Sequence, residues 1–411
     1  MSRKHKTAAE ARGRIPSWIK KVGLLVASSF ICLVLLEVAF RLAGYQAIYD
    51  IYSKPELFWK HDDLLGWSHE PGAQGTYVGP RPFPVEFSAP VRINSLGLRG
   101  PEIPELPPGG LRVLVLGDSV VAGFEVAEDK TFTALLEKRL AADLAVPVQV
   151  INAGIRGYGT DQTYLYYRER GRKLRPHLVL LLHSNNDPED NTTLHRARRP
   201  FGKPAFALKA DRELELIGHP IPDYPTCSAY RLDAQFRVVR LDSALARTLC
   251  WLQVSLTDHS ALLTFMIMRI QQSPHFITAL YELGTPKGQR EASGHGVPVG
   301  SAHILTTSLI QRLAAEIRAD KSQVLIFGAK DDIEQLDVQA LRSVAELVYR
   351  DDIGSFDHRL HAFRSDSHYN EAGHALVAGY LAPLLSRRLS DLSKSAAGPA
   401  ALEHAPDGEA R

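Results

Sequence analysis

Apolar and polar positions divide the chain into stretches of different period. Positions 22–36 read VGLLVASSFICLVLL without a charge, and the apolar pattern continues past Glu37 and Arg41 to Gly44. A helix over 22–44 is long enough to cross the ~30 Å hydrocarbon core of a bilayer. Glu37 and Arg41 stand four apart, so they share one side of that helix and can pair near its end. Residues 45–110 are rich in Pro, Gly and aromatics with no sustained helical period. They predict a linker and a β-containing extension, with VRINSLGLRG (91–100) as one of its strands. From Leu111 the pattern changes to short continuous apolar runs: LRVLVLG (111–117), VPVQVINAG (146–154), PHLVLLLHS (176–184) and KSQVLIFGA (321–329). Continuous runs of this length predict parallel strands buried on both faces. Between and after them lie helical patterns. Phe132, Leu135, Leu136 and Leu140 share one face, 303–319 and 371–388 read as helices, and Asn370 is placed to cap the last. Strands alternating with helices predict a parallel sheet covered on both faces over 111–390.

About 130 residues separate the third and fourth runs, far more than a crossover requires. The segment 188–300 therefore reads as an insertion over one end of the sheet, expected to shape a substrate site. Its first part is rich in Pro, Arg and Asp, and 251–272 is strongly apolar and helical in pattern. Residues 391–411 are rich in Ala, Gly and Glu and predict a disordered tail. No internal repeat and no second apolar stretch of spanning length is present in the sequence.

Composition narrows the function. A chain of 411 residues with 45% hydrophobic and 23% charged residues can bury a large core. A net charge of +2 gives no argument for a nucleic-acid partner. There is no Walker loop and no CxxC pair. Arg3, Lys4, Lys6, Arg12, Arg14, Lys20 and Lys21 precede the apolar stretch. Such a tail (1–21) is expected to stay in the cytoplasm and send the rest across. That predicts a single-pass protein with its main domain extracytoplasmic, periplasmic in a Gram-negative cell. The competing reading is a cleaved signal peptide, which the length of the stretch and the lack of a clean small-x-small site weigh against. Cys32 lies in the apolar stretch. Cys227 and Cys250 can pair in an oxidising compartment or stand as two separate thiols.

Ligands of a parallel sheet bind beyond the carboxyl ends of its strands. Gly117-Asp118-Ser119 follows the first run, Asn152 to Tyr158 the second, and Asn185-Asn186-Asp187 the third. Asp366-Ser367-His368-Tyr369-Asn370 precedes the last helix. These four blocks, in this order over roughly 111–385, resemble the SGNH (GDSL) hydrolases, a group of esterases, lipases and carbohydrate acetyl-group enzymes. The resemblance implies a three-layer α/β/α, flavodoxin-like domain. It further implies Ser119 as nucleophile, His368 as general base and Asp366 as the acid that orients it. The oxyanion hole would be the backbone N–H of Ser119 and Gly157 and the amide of Asn186. Two positions depart from the family pattern. Ser365 stands where the acid usually sits, three before the histidine, and Ser184 replaces the usual glycine of the third block. Asp357 is a second candidate acid.

The chemistry is consistent with these roles. A serine hydroxyl needs a base to become a nucleophile, and imidazole titrates near neutrality. The α/β-hydrolase elbow G-x-S-x-G is absent, because its last position is Val121. His183, His259, His303 and His374 are scattered, so neither a metal nor a cofactor is implied. The expected reaction is hydrolysis of an ester, with an O-acylated carbohydrate as the substrate class suggested by the resemblance and the membrane anchor. Two alternatives stand beside it. One is transfer of the acyl group to a polysaccharide, with an acyl-donor partner protein. The other is a non-catalytic carbohydrate-binding scaffold of the same fold.

Overall fold

Five parallel strands form the central sheet: β1 (Leu111–Gly117), β2 (Val148–Gly154), β3 (Leu178–Leu182), β4 (Gln323–Gly328) and β5 (Glu346–Tyr349). Their order is β5-β4-β3-β1-β2. The computed structural model describes residues 16–45, 47, 60–78, 86–195, 202–221, 227, 230–240, 243–257, 259–271, 299–364 and 368–396. Its longer helices are α1 (Ser17–Leu42), α2 (Phe132–Leu144), α3 (Thr160–Glu169), α4 (Ala244–Leu252), α5 (Ala261–Gln271), α6 (Val299–Ala319) and α7 (Glu371–Ala396).

The apolar runs are continuous because each strand has two buried faces. Leu114 and Leu116 of β1 join Ile151, Val179, Leu181 and Ile326 beneath Leu165 of α3 and Leu305, Leu309 and Leu313 of α6. Val113 and Val115 point the other way. With Val150, Leu180, Leu325 and Phe327 they meet Phe132, Leu136 and Leu140 of α2 and Val377, Leu381 and Leu385 of α7. The strand order is that of flavodoxin-like sheets, with a switch point between β1 and β3. Thr131 caps α2 through Ala134 N–H at 3.3 Å. Asn370 caps α7 by accepting from Gly373 N–H at 3.0 Å.

Several boundaries differ from the sequence expectation. The extension forms two hairpins, Lys60–Asp62 with Gly66–Ser68 and Gln74–Val78 with Ser88–Arg92. The strand expected over 91–100 stops at Arg92. Asn94 Oδ1 then accepts from Leu96 and Leu98 N–H, both at 3.0 Å, and the chain reverses at Gly97 (φ 76°). β5 was not expected: ELVY is only four residues long and lacks a continuous apolar run. α7 runs on to Ala396, so part of the expected disordered tail is helical, while 397–411 lie outside the described residues.

α1 begins at Ser17 and takes in Lys20 and Lys21. It is long and apolar enough to cross a membrane, a property that a signal segment shares. Arg41 Nε donates to Glu37 Oε1 at 2.7 Å. The insertion holds two hairpins, Ala205–Leu208 with Leu214–Ile217 and Tyr230–Leu232 with Val238–Arg240. The apolar 251–272 pattern breaks into the end of α4, a π turn (Gln253–Thr257) and α5. Cys227 and Cys250 are joined, their Cα atoms 5.6 Å apart. The buried Lys203 ammonium pairs with Asp161 of α3 and donates to Asp190 O at 2.9 Å, which fastens the insertion to the sheet domain.

His374 locks α7 to α2. Its Nδ1 accepts from Phe132 N–H at 3.2 Å, and its ring stacks on Phe132 with centroids 5.9 Å apart. Burial, reinforced by the nearby Arg99 and His368 charges, pulls its pKa from 6.5 down to about 3. Below pH 6.5 the unfolded chain therefore takes up a proton that the folded chain refuses. The stability this neutral ring contributes is complete above pH 6.5 and is lost as pH falls toward 3, by up to about 5 kcal/mol. His374→Asn keeps an acceptor for Phe132 N–H and removes the titration. Its urea midpoint is expected to fall less steeply than that of the wild type between pH 6.5 and 4. Parallel slopes would contradict the assignment.

Candidate active site

The turn after β1 is set by Asp118. Its carboxylate accepts from Val120 N–H at 2.9 Å and starts a single helical turn, Ser119–Ala122. Ser119 opens that turn and is partly exposed. After β2, the two candidate glycines separate. At Gly154 a Cβ would lie 2.3 Å from Ala122 N, so the glycine lets β2 approach the serine turn. Gly157 has φ 80°, a left-handed conformation that other residues adopt at a cost. After β3, Asn186 precedes the turn Asp187–Asp190. Its Nδ2 donates to Asp190 Oδ2 at 2.6 Å, which fixes the amide while leaving a second N–H to donate. Asn185, its neighbour, is exposed.

Ser119, Gly157, Asn186 and His368 line one cavity of about 560 Å³, together with Asp118, His183 and Tyr369. It sits at the carboxyl ends of β1, β3 and β4, where the switch point opens the sheet. A larger groove of about 870 Å³ runs beside β2 and Pro101–Pro107; among the described residues, no serine or histidine lines it. Asp366 lies outside the described residues. Asp357 is absent from the cavity lining and instead caps the turn His358–His361, accepting from Arg359 N–H at 2.8 Å. No described residue of 188–300 is among those lining the cavity, and 196–201, 222–226 and 272–298 of the insertion lie outside the described residues.

A carboxylate that the sequence did not single out lies behind the histidine. Glu125 Oε1 is 3.7 Å from His368 Nδ1, and its side chain is fully buried. Arg156, from the loop after β2, donates to the same oxygen at 2.5 Å. The only sequence signal was a lone charge within the otherwise uncharged Ser119–Ala127. Arg99 holds the loop that carries Glu125. Its guanidinium donates to the carbonyls of Ala122 (2.9 Å), Gly123 and Val126 (2.5 Å). Burial, opposed by Glu125 and Glu128, lowers its pKa to about 10, and it remains charged at neutral pH. The extension thus supports the site from below. Trp67 Nε1 donates to Arg156 O at 3.1 Å, Tyr158 Oη to Trp67 O at 2.7 Å, and Gln162 Nε2 to Leu65 O at 2.6 Å.

His183, which lines the same cavity, has a carboxylate of its own. His183 Nδ1 and Asp187 Oδ2 are 2.9 Å apart, but the His183 side chain is only 1% exposed, against 16% for His368. His368 is therefore the more open of these two imidazoles, and the exposed His358 also lines the cavity. Burial and the Asp187 charge raise the Asp118 pKa to about 6, against the lowering effects of Val120 N–H, His368 and Ser184. Asp118 is thus a costly buried charge held in place to order the loop.

The family model described as "GDSL-like Lipase/Acylhydrolase family" matches residues 115–376, well over half of the chain. The chain belongs to this family. It is a hydrolase acting on ester bonds, built on the α/β domain with a central parallel sheet described above. Among solved structures, the crystal structure of TesA is similar, with 14% identity and a TM-score of 0.34 over 67% of this chain and 97% of that one. A lipase/acylhydrolase from Enterococcus faecalis shows 11% identity and a TM-score of 0.34 over 68% and 96%. A catalytic mutant of Axe2, an acetylxylan esterase from Geobacillus stearothermophilus, shows 12% identity and a TM-score of 0.32 over 67% and 93%. Likenesses this distant do not bear on the substrate. Among curated proteins, none matches the chain in sequence.

Within this GDSL-like hydrolase, a buried carboxylate 3.7 Å from Nδ1 would favour the imidazolium expected of a general base at 368. Glu125→Gln keeps an acceptor for Arg156 and removes the charge. It is expected to lower kcat roughly tenfold, about 1–2 kcal/mol in the barrier, with little change in KM. Unchanged kcat in a folded variant would show that the carboxylate serves the loop alone.

Proposed function

We propose that the protein is a serine esterase in which Ser119 is the nucleophile and His368 the general base. Asp366 would orient the ring, and the N–H groups of Ser119 and Gly157 with the Asn186 amide would receive the oxyanion. The observation that carries this reading is the convergence of Ser119, Gly157, Asn186 and His368 on one cavity from four separate stretches of chain. His368 would accept the hydroxyl proton as Ser119 attacks the ester carbonyl. The tetrahedral oxyanion would then be stabilised by the three donors, each typically worth about 3 kcal/mol in the transition state. His368 would return the proton to the leaving alcohol, and water would release the acid by the same steps in reverse.

The remaining walls support a hydroxyl-rich substrate. Asp331, Asp332, Arg350, Asp351 and His358 line the cavity beyond β4 and β5, a surface that suits an O-acylated carbohydrate better than a long hydrocarbon chain. The Cys227–Cys250 disulfide and the apolar α1 support a membrane-anchored enzyme whose catalytic domain lies outside the cytoplasm. Full-length wild type and Ser119→Ala are to be compared on aryl acetates and acetylated glycans. Acetate release is expected to fall by at least about a thousandfold in the variant. Acetyl groups recovered on an added glycan acceptor would reassign the enzyme to transfer, and equal activity in both proteins would remove Ser119 as nucleophile.

A further inference from the structure

α5 is capped by another helix. Glu37, near the end of the apolar helix α1, accepts from Ser260 Oγ (2.7 Å), Ala261 N–H (2.9 Å) and Leu262 N–H (3.0 Å). These are the unsatisfied donors at the start of α5, and a carboxylate there also complements the helix dipole. Arg41, paired with Glu37, donates to His259 O at 2.6 Å. One turn further on, Phe265 packs edge-on against Phe40 (5.0 Å) and Tyr45 (5.4 Å). α5 therefore climbs α1 in the same sense. The segment that precedes it, the end of α4 and the π turn, leads into α5 at the level of Glu37.

α4, the π turn and α5 leave large apolar side chains uncovered. Leu245 is 68% exposed, Trp251 62%, Leu256 60% and Met266 47%. Apart from Asp258, residues 244–271 contain no carboxylate, and they carry Arg247 and Arg269. Exposed apolar side chains with basic residues and a tryptophan are the composition of a helical segment that lies in the interfacial layer of a bilayer.

We propose that α4 and the π turn, held to α1 through α5, form a membrane-docking surface that seats the catalytic domain on the bilayer crossed by α1. The occupant of these exposed apolar side chains is the lipid surface itself, because α5 ties them to the anchor helix through the Glu37 cap and the Phe40–Tyr45–Phe265 cluster. The inference rests on α1 being a retained anchor. The hydrolase then has two attachments, a spanning helix and an interfacial shelf, and the cavity is held at a fixed height above the lipid.

The test uses the full chain reconstituted in liposomes of phosphatidylcholine and phosphatidylglycerol, with plain or brominated acyl chains. Of the four tryptophans, Trp18 reports the anchor and Trp251 the proposed surface. The emission that Trp251→Phe removes is expected to be quenched at least about twofold by brominated lipid, as for an interfacial tryptophan. Leu256→Trp on the Trp251→Phe background is expected to restore a quenched signal, which guards against a local defect in the first variant. If only the emission removed by Trp18→Phe is quenched, the anchor stands and the docking surface is refuted. If neither component is quenched, the anchor reading fails and the inference falls with it. If the Trp251 component ignores bromine but shifts in wavelength with the protein-to-lipid ratio, the face belongs to a second copy and the inference is again refuted.

Discussion

The site depends on a carboxylate with no exposure to solvent, Glu125, held between the Arg156 guanidinium and the His368 imidazole. A charge in that position is tolerated only where it is paired. The pairing joins three separate parts of the chain: the loop after β1, the loop after β2 and the segment leading into α7. Ser119 shares its loop with Glu125, and Gly157 follows Arg156 directly. Fixing the carboxylate therefore also fixes the backbone on which a nucleophile and an oxyanion donor would sit. Arg99 adds a second constraint by binding three carbonyls of the Glu125 loop from the extension.

The sheet explains why these loops meet. β1 pairs with β2 on one side and with β3 on the other, so the loops after β1 and β3 diverge across the switch point and leave a crevice. Asp118 and Asn186 stand at its two lips. The extension, which reads in sequence as a linker, closes the underside of this crevice with Trp67, Leu65 and Arg99. The insertion begins beside this crevice, where its Asp190 accepts from the Asn186 amide. The buried Lys203–Asp161 pair fastens the insertion to α3, and α5 meets α1.

Much of the fold was legible because its strands obey one rule. A strand buried on both faces must be largely apolar, and four of the five are, with Arg112, Gln149, Asn152 and Gln323 the polar positions among them. β5 escaped because four residues at a sheet edge, two of them polar or aromatic, leave no such run. Asn370 was legible as a cap because capping is local. Glu125 was not, because its meaning lies in contacts with Arg156 and His368, 31 and 243 positions away. Position 91–100 misled for a related reason. Alternation suggests a strand, but Asn94 and Gly97 bend the backbone through local hydrogen bonds that alternation does not register. The Cys227–Cys250 pairing stayed open in the sequence because Cα separation is a tertiary quantity.

The central claim is that the hydroxyl of Ser119 and the imidazole of His368 act as one couple. A fluorophosphonate reports this directly, since it phosphonylates only a serine whose proton is being drawn off. Full-length protein treated with the reagent is expected to carry a single adduct on the peptide containing Ser119, and His368→Ala is expected to abolish it while the protein stays folded. An adduct on a different residue, or undiminished labelling of Ser119 in the His368 variant, would contradict the account.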